Sequence, residues 1–224
     1  MPGRKTVLVN HEIYHIFNRG VALQPTFLNH ANYSRAIAAL LYYQHLNPPI
    51  KFSKFTQKSS SDQQEILVSL AQQNRTHADL ITFCFMPNHF HLLLKQNLDN
   101  GISKYLSQFT NSYTKYFNTK NNRSGHLFQG NFKAARIESN EQLLHVSRYI
   151  HLNPFSGCLV KNIKALNTYR YSSLPEYLNP TQSKNFQKNI IIDQFSTPEK
   201  FENFIFNQAD YQKQLQLIKH LTLD

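Results

Sequence analysis

Apolar and polar positions along the chain mark out alternating strands and helices. Ile13 to Asn18 reads as a first strand, and Arg19-Gly20 begins its exit loop. Tyr33, Ile37, Leu40 and Leu41 then recur at helical spacing. Asn29 or Asn32 caps that helix, which runs to about Leu46 before Pro48-Pro49 ends it. A polar stretch from Lys51 to Asn74 follows, read as an insertion in a loop with a short amphipathic helix around Glu65 to Ala71. Asp79 to Met86 and His89 to Lys95 form two antiparallel strands about a tight Pro87-Asn88 turn. Ile102, Tyr105, Leu106, Phe109, Tyr113, Tyr116 and Phe117 predict a helix from Gly101 to about Asn118. Asn131 to Ile137 reads as a strand, and Ser139 with Gln142 makes a capping box for a helix through Leu152, limited by Pro154. The order strand, helix, strand, strand, helix, strand, helix predicts a single α+β sheet with helices on one face. After residue 178 the composition shifts, and Thr197 to Asn207 and Tyr211 to Leu221 predict two tail helices.

Composition narrows the class. At 224 residues and 41% hydrophobic content, with 17 Phe and 12 Tyr, the chain can bury a core without staples. No apolar run approaches the roughly 18 to 20 residues of a membrane span, and no apolar segment follows the first five residues as a secretory signal would require. Cys84 and Cys158 make no disulfide framework, so a cytoplasmic, thiol-reduced protein is expected. The net charge of +11 lies entirely in residues 1–178, which hold 19 Lys and Arg against 8 Asp and Glu, while the last 46 residues hold five of each. A basic body suggests a polyanionic partner, most often nucleic acid.

Three places carry candidate chemistry. His89 and His91 stand at i and i+2 of a strand, so both imidazoles point to one face and can meet one divalent metal; the alternative is a pair of strand histidines with no ligand. His145, Tyr149 and Asn153 form an i, i+4 stripe, in which Tyr149 is either a nucleophile or a packing tyrosine and Asn153 can lend a carbonyl oxygen to a metal. Because Asn153 precedes a proline, it is expected at the very end of its helix. His151, off that stripe, is expected to be a bystander that tolerates alanine. The third place is residues 100–137, where Lys104, Lys115, Lys120, Arg123, Lys133 and Arg136 occur with no acidic residue. Aromatics interleave with these charges, and the loop residues Phe128 and Phe132 are the candidate stacking platforms.

The blocks Phe85-Met86-Pro87-Asn88-His89-Phe90-His91 and Arg148-Tyr149-Ile150-His151-Leu152-Asn153-Pro154 strongly resemble the IS200-like (Y1) transposases, and within them the REP-associated tyrosine transposases of the HUH endonuclease superfamily. Tyr14 to Gly20, Gly125 to Lys133 and Tyr171-Ser172-Ser173 resemble further blocks of that group, so the likeness covers about residues 7–178. It implies a ferredoxin-like antiparallel sheet with helices packed on it; together with the composition shift, this gives a nuclease domain of residues 1–178, with a polar insertion at about 48–76 that departs from the family pattern, and a helical extension over 179–224. It implies cleavage of single-stranded or hairpin DNA by a tyrosine nucleophile, leaving a 5′-phosphotyrosine. Carried over by position, Tyr149 is the nucleophile, and His89, His91 and Asn153 hold Mg²⁺ or Mn²⁺. The protein would act as a monomer or a homodimer. Two other classes stay open: a domesticated protein that binds hairpin DNA or RNA without cutting, and a metal-dependent hydrolase that activates water.

Overall fold

The computed structural model describes residues 6–179 and 186–214. Strand β1 (Ile13–Arg19) leads through a 3-10 turn at Val21–Leu23 to helix α1 (His30–Tyr43), capped by the Asn29 side chain on the Asn32 amide. Two helices, α2 (Phe52–Phe55) and α3 (Ser60–Gln73), fill the stretch expected to be mostly loop. Phe52 and Phe55 are buried beside Tyr42, and Ser59 caps α3, so short-range capping and a few aromatics organise an otherwise polar segment. The hairpin β2 (Ala78–Met86) and β3 (His89–Gln96) comes next, then α4 (Gly101–Lys120), β4 (Lys133–Arg136) and α5 (Asn140–Ser156). A 3-10 segment at Ile163–Thr168 precedes three short helices, α6 (Leu174–Leu178), α7 (Asn189–Ile192) and α8 (Pro198–Phe206). Residues 209–214 are helical again. The rest of the expected last helix, from residue 215, lies outside the described residues.

The four strands form one antiparallel sheet in the order β2-β3-β1-β4. That order, with a helix crossing between β1 and β2 and another between β3 and β4, is the split βαβ arrangement of a ferredoxin-like fold. Burial alternates along β1, which sends Tyr14 and Ile16 to one face and His15 and Phe17 to the other. On the Tyr14 face, α4 lies against the sheet through Phe109, whose ring meets Phe85 and Phe90, and α1 packs on α4.

The expectation of helices on one face does not hold, because α5 covers the opposite face and packs on β2 and β3. Both sides of β2 are therefore largely apolar and buried, which a surface strand would not tolerate. The free edge of β2 is closed by residues 171–177. The Phe85 amide donates to the Tyr171 carbonyl, the Phe83 amide to Ser173 Oγ, and the Tyr177 hydroxyl to the Ile81 carbonyl. The Tyr-Ser-Ser block thus satisfies edge groups that would otherwise be open to pairing. Helix α8 adds Phe201, fully buried between Tyr177 and His151.

Candidate active site and nucleic-acid surfaces

The histidine pair sits where the strand period places it, on the α5 face of β3. Phe17 of β1 is the direct cross-strand partner of His91, and Cys84 of β2 lies opposite on the other side. The His89 and His91 rings are 5.0 Å apart between centroids. His89 Nδ1 is 2.7 Å from Asn88 Oδ1, and the Asn88 amide nitrogen donates to the Leu23 carbonyl at 3.1 Å. The carbonyl therefore sets the Asn88 amide, whose oxygen can only accept, so His89 carries its hydrogen on Nδ1 and its lone pair on Nε2. Gly20 makes this loop possible, since a Cβ there would run into the Gln24 carbonyl. Burial lowers the His89 pKa to about 4, opposed by the nearby Asn153 side chain and assisted by the Arg19 charge. His91 falls well below its ordinary value through burial and then through its two histidine neighbours. Both rings are thus neutral near pH 7, as metal ligands must be.

Helix α5 brings the tyrosine to the same face. Ser139 Oγ accepts from the Gln142 amide as the expected cap, while Gln142 Oε1 accepts from the amide of Glu138, one residue before the cap, so the return bond of the expected capping box is displaced by one residue. Contrary to the expectation, the helix does not stop at Asn153 but continues through Pro154 to Ser156. Proline forgoes one helical N–H, while Ser156 Oγ and the Gly157 amide return bonds to the Leu152 and Asn153 carbonyls. Tyr149 stands edge-on to His91 at 5.4 Å and to His15 at 5.9 Å between centroids. Burial raises its phenol pKa, an effect opposed by the nearby Asn153 side chain and reinforced by Cys84.

Asn153 is fully buried, and its Nδ2 donates to the Tyr149 carbonyl at 2.8 Å. That bond turns Oδ1 the other way, where it has no hydrogen-bond partner of ordinary length. A buried amide oxygen without a partner is costly and calls for an explanation. Among the described residues, no three His, Cys, Asp or Glu side chains form a metal-holding group. A divalent ion at His89 and His91 would therefore need the Asn153 oxygen, and two imidazole nitrogens with an amide oxygen suit Mn²⁺ or Mg²⁺. The residues present fit such an ion.

His15 is the residue that sequence reasoning left without a role. Its Nε2 lies 2.9 Å from His91 Nδ1, and burial lowers its pKa to about 4. Alternation along β1 already put it on the Phe17 face; nothing local said that β1 would lie beside β3. Arg19 was missed as well. It joins Phe17, His89, His91, Gln129 and Lys133 around a cleft of about 600 Å³, with its Nε donating to Gln129 Oε1 at 3.0 Å.

The six predicted nucleic-acid contacts do not form one surface. Of these, only Lys133 lines the cleft. Lys115 and Lys120 border a second groove between α1, α2 and α4, on the far side of the sheet. Arg123 braces its own loop through Asn118 Oδ1 and the His126 carbonyl, and Arg136 pairs with Glu12 at 2.7 Å. Lys104 is exposed in the first turn of α4, close enough to His77 to depress its pKa after burial has done so. Helical geometry divides α4 between faces, and the following loop and β4 carry the rest elsewhere, so a run of charge in sequence is not a patch in space.

Two further expectations are corrected. Phe128 is no stacking platform, because it is buried against Phe27, Phe90 and Tyr113. His151 is no bystander either. It is fully buried, with Nε2 2.9 Å from Ser173 Oγ and its ring between Tyr177 and Phe201. Near the chain end, Gln212 Nε2 donates to the Tyr149 carbonyl and to Ser156 Oγ, so the last described helix holds the back of α5.

Comparison with known proteins agrees with this architecture. The family described as "Transposase IS200 like" matches residues 41–153. A solved structure of a REP-associated tyrosine transposase bound to a REP hairpin is similar over 84% of this chain and 91% of its own, with a TM-score of 0.55 and 12% identity, a likeness of fold. No curated protein matches the sequence.

Proposed function

The chain belongs to the IS200-like transposase family, and from that premise we propose that it is a metal-dependent single-stranded DNA endonuclease and strand transferase with Tyr149 as nucleophile. One observation carries the reading: Tyr149 and the His89–His91 pair converge on one sheet face beside the unpartnered Oδ1 of Asn153. In the forward step Tyr149 Oη bonds to phosphorus and gives up its proton, while the bond from phosphorus to the 3′ oxygen breaks. The 5′ phosphate stays on Tyr149 and the other end leaves, protonated, as a free 3′-OH. Attack of a 3′-OH on the phosphotyrosine reverses the step and rejoins strands.

His89, His91 and Asn153 would hold Mg²⁺ or Mn²⁺, which when bound supplies charge to polarise the phosphate and to stabilise the leaving oxygen. The chain's own residues prepare the rest. Asn88 holds His89 with its lone pair on Nε2. The Asn153 amide, tied to the Tyr149 carbonyl, joins the third ligand to the turn that carries the nucleophile. Arg19 and Lys133 offer positive charge to a strand lying in the cleft. Burial keeps the phenol protonated at neutral pH, so the attack also needs a proton acceptor.

The substrate in this reading is a strand that folds into a REP-type hairpin. Incubating the protein with end-labelled hairpin DNA and Mn²⁺, then looking for an SDS-stable adduct, tests it. Cleavage without an adduct would point to a water-activating hydrolase. Tight binding without any cleavage would point to a domesticated hairpin binder.

A further inference from the structure

The cleft beside the histidine pair has an apolar part that the proposed reaction leaves unused. Leu23, Pro25, Met86, Pro87 and Leu159 line it, and no Asp or Glu does. Leu23 is 54% exposed and Leu159 41%. We propose that these two leucines seat one unpaired nucleobase next to the scissile phosphate, a reading that rests on the strand-cutting function above.

The apolar residues are contiguous although they come from three places in the chain. The Thr26 and Phe27 amides both donate to the Pro87 carbonyl, at 2.7 and 2.9 Å, which ties the loop carrying Leu23 and Pro25 to the turn between β2 and β3. From Met86 the surface continues to Gly157, where a Cβ would stand 2.7 Å from Met86 Cε, and Leu159 is two residues further on. The stretch borders the candidate metal ligands, since the Leu23 carbonyl holds the Asn88 amide that sets His89.

Both leucines are held outward by a fixed backbone. Ala22 and Leu23 have φ of 52° and 58°, and Cys158, just before Leu159, has 57°, left-handed conformations that such side chains rarely adopt. The Val21 amide donates to the Leu127 carbonyl at 3.1 Å and the Leu159 amide to the Pro154 carbonyl at 2.8 Å, so neither segment is free to turn its leucine inward. Strained residues of this kind gather at ligand clamps. An apolar side chain pinned in water gains free energy when a ligand covers it.

The rest of the cleft says which ligand. Arg19 and Lys133 attract a phosphate backbone, so the apolar face that such a ligand brings is a base. No open aromatic platform competes for it. Phe17 is engaged by His91, 5.8 Å between ring centroids, and by Lys133, whose Nζ lies 6.0 Å from the ring, while Phe128 is buried. A paired base keeps its faces covered by its neighbours in the stack, so the seat takes an unpaired one, as apolar side chains do for extruded bases.

The test follows binding by fluorescence anisotropy in EDTA, so that nothing is cut. The probes are a hairpin with a single-stranded extension and a series in which one extension nucleotide at a time is abasic. Wild type should lose about fivefold in affinity at one position, the scale of one partly buried leucine contact. Leu23→Ala/Leu159→Ala should lose about as much on the intact hairpin and nothing further at that position, because two perturbations of one contact do not add. The variant keeps the Leu23 backbone carbonyl, so Asn88 and His89 stay in place. 2-Aminopurine at the sensitive position should brighten on binding wild type, where it leaves its neighbouring bases for aliphatic side chains, and stay dim on the variant. No sensitive position in wild type, wild-type affinity in the variant, or losses that add at that position would overturn the seat and leave strand binding standing. Wild type that binds none of the probes would overturn the strand-cutting reading and the seat with it.

Discussion

His15 on β1 and His91 on β3 meet through their ring nitrogens, Nε2 of the first 2.9 Å from Nδ1 of the second. With Nδ1 of His91 engaged there, its Nε2 is the nitrogen left for the cleft. A neutral His15 can accept at Nε2, which makes it a positioning residue for a proposed ligand. His15→Leu should weaken Mn²⁺ binding about 10- to 100-fold, and His15→Gln should recover part of the loss because its side-chain oxygen can accept. Titration followed by electron paramagnetic resonance measures this, and ¹⁵N shifts of His91 report its tautomer. Wild-type affinity in the leucine variant would remove His15 from the site.

Tyr149→Phe keeps the ring and its contacts, so its stability cost should stay below about 1 kcal/mol. The variant should still bind Mn²⁺ and hairpin DNA but form no covalent adduct and release no cut strand. Robust cutting by Tyr149→Phe, scored on a denaturing gel, would exclude it as the nucleophile.

His91→Ala should abolish metal-dependent cleavage without unfolding the protein. Asn153→Ala should lower Mn²⁺ affinity and cleavage rate together, with excess Mn²⁺ restoring part of the rate. Asn153→Asp, which keeps an oxygen in place, should hold metal better than the alanine variant. Calorimetric titration that ranks the two Asn153 variants equally would show that Oδ1 is not a ligand.

His151→Ala should cost about 2 to 4 kcal/mol, since it empties a fully buried site between two aromatic rings and leaves Ser173 one bond short. Burial lowers the His151 pKa to about 3 in the folded protein, against about 6.5 when unfolded. The unfolded state then binds more protons between those values, so stability should decline as pH falls from about 6.5 towards 3 and change little above 6.5. Burial shifts His15 and His89 in the same direction, so a His151→Gln variant should reduce this acid sensitivity without abolishing it. Urea denaturation at pH 7 and pH 5 gives the comparison; a variant with unchanged pH dependence would contradict the assignment.

Lys133→Gln should reduce the salt slope of DNA binding by about one, because Lys133 lines the cleft. Arg123→Gln should instead leave the slope unchanged and loosen the loop that Arg123 braces. Anisotropy across a salt series separates the two, and an equal change in slope would place Arg123 on the DNA.

Much of the site was legible residue by residue. The period of two set His89 and His91 on one strand face, the i, i+4 spacing set Tyr149 over Asn153, and Ser139 with Gln142 marked where their helix starts. The fold class followed from the order of elements. The sequence by itself determined each side chain's place on its own strand or helix, because the backbone repeats are local and stiff. Which element covers that face is decided by non-local packing, and there the tertiary structure overruled or extended the reading. It put α5 opposite α1 and α4, laid β1 beside β3 so that His15 reached His91, and buried His151 and Phe128. It also sent Lys133 to the cleft and Lys115 and Lys120 to the far groove, although all three belong to one basic run. Charge is read along the chain, but ligands meet it across the surface, and only the folded path of the backbone relates the two.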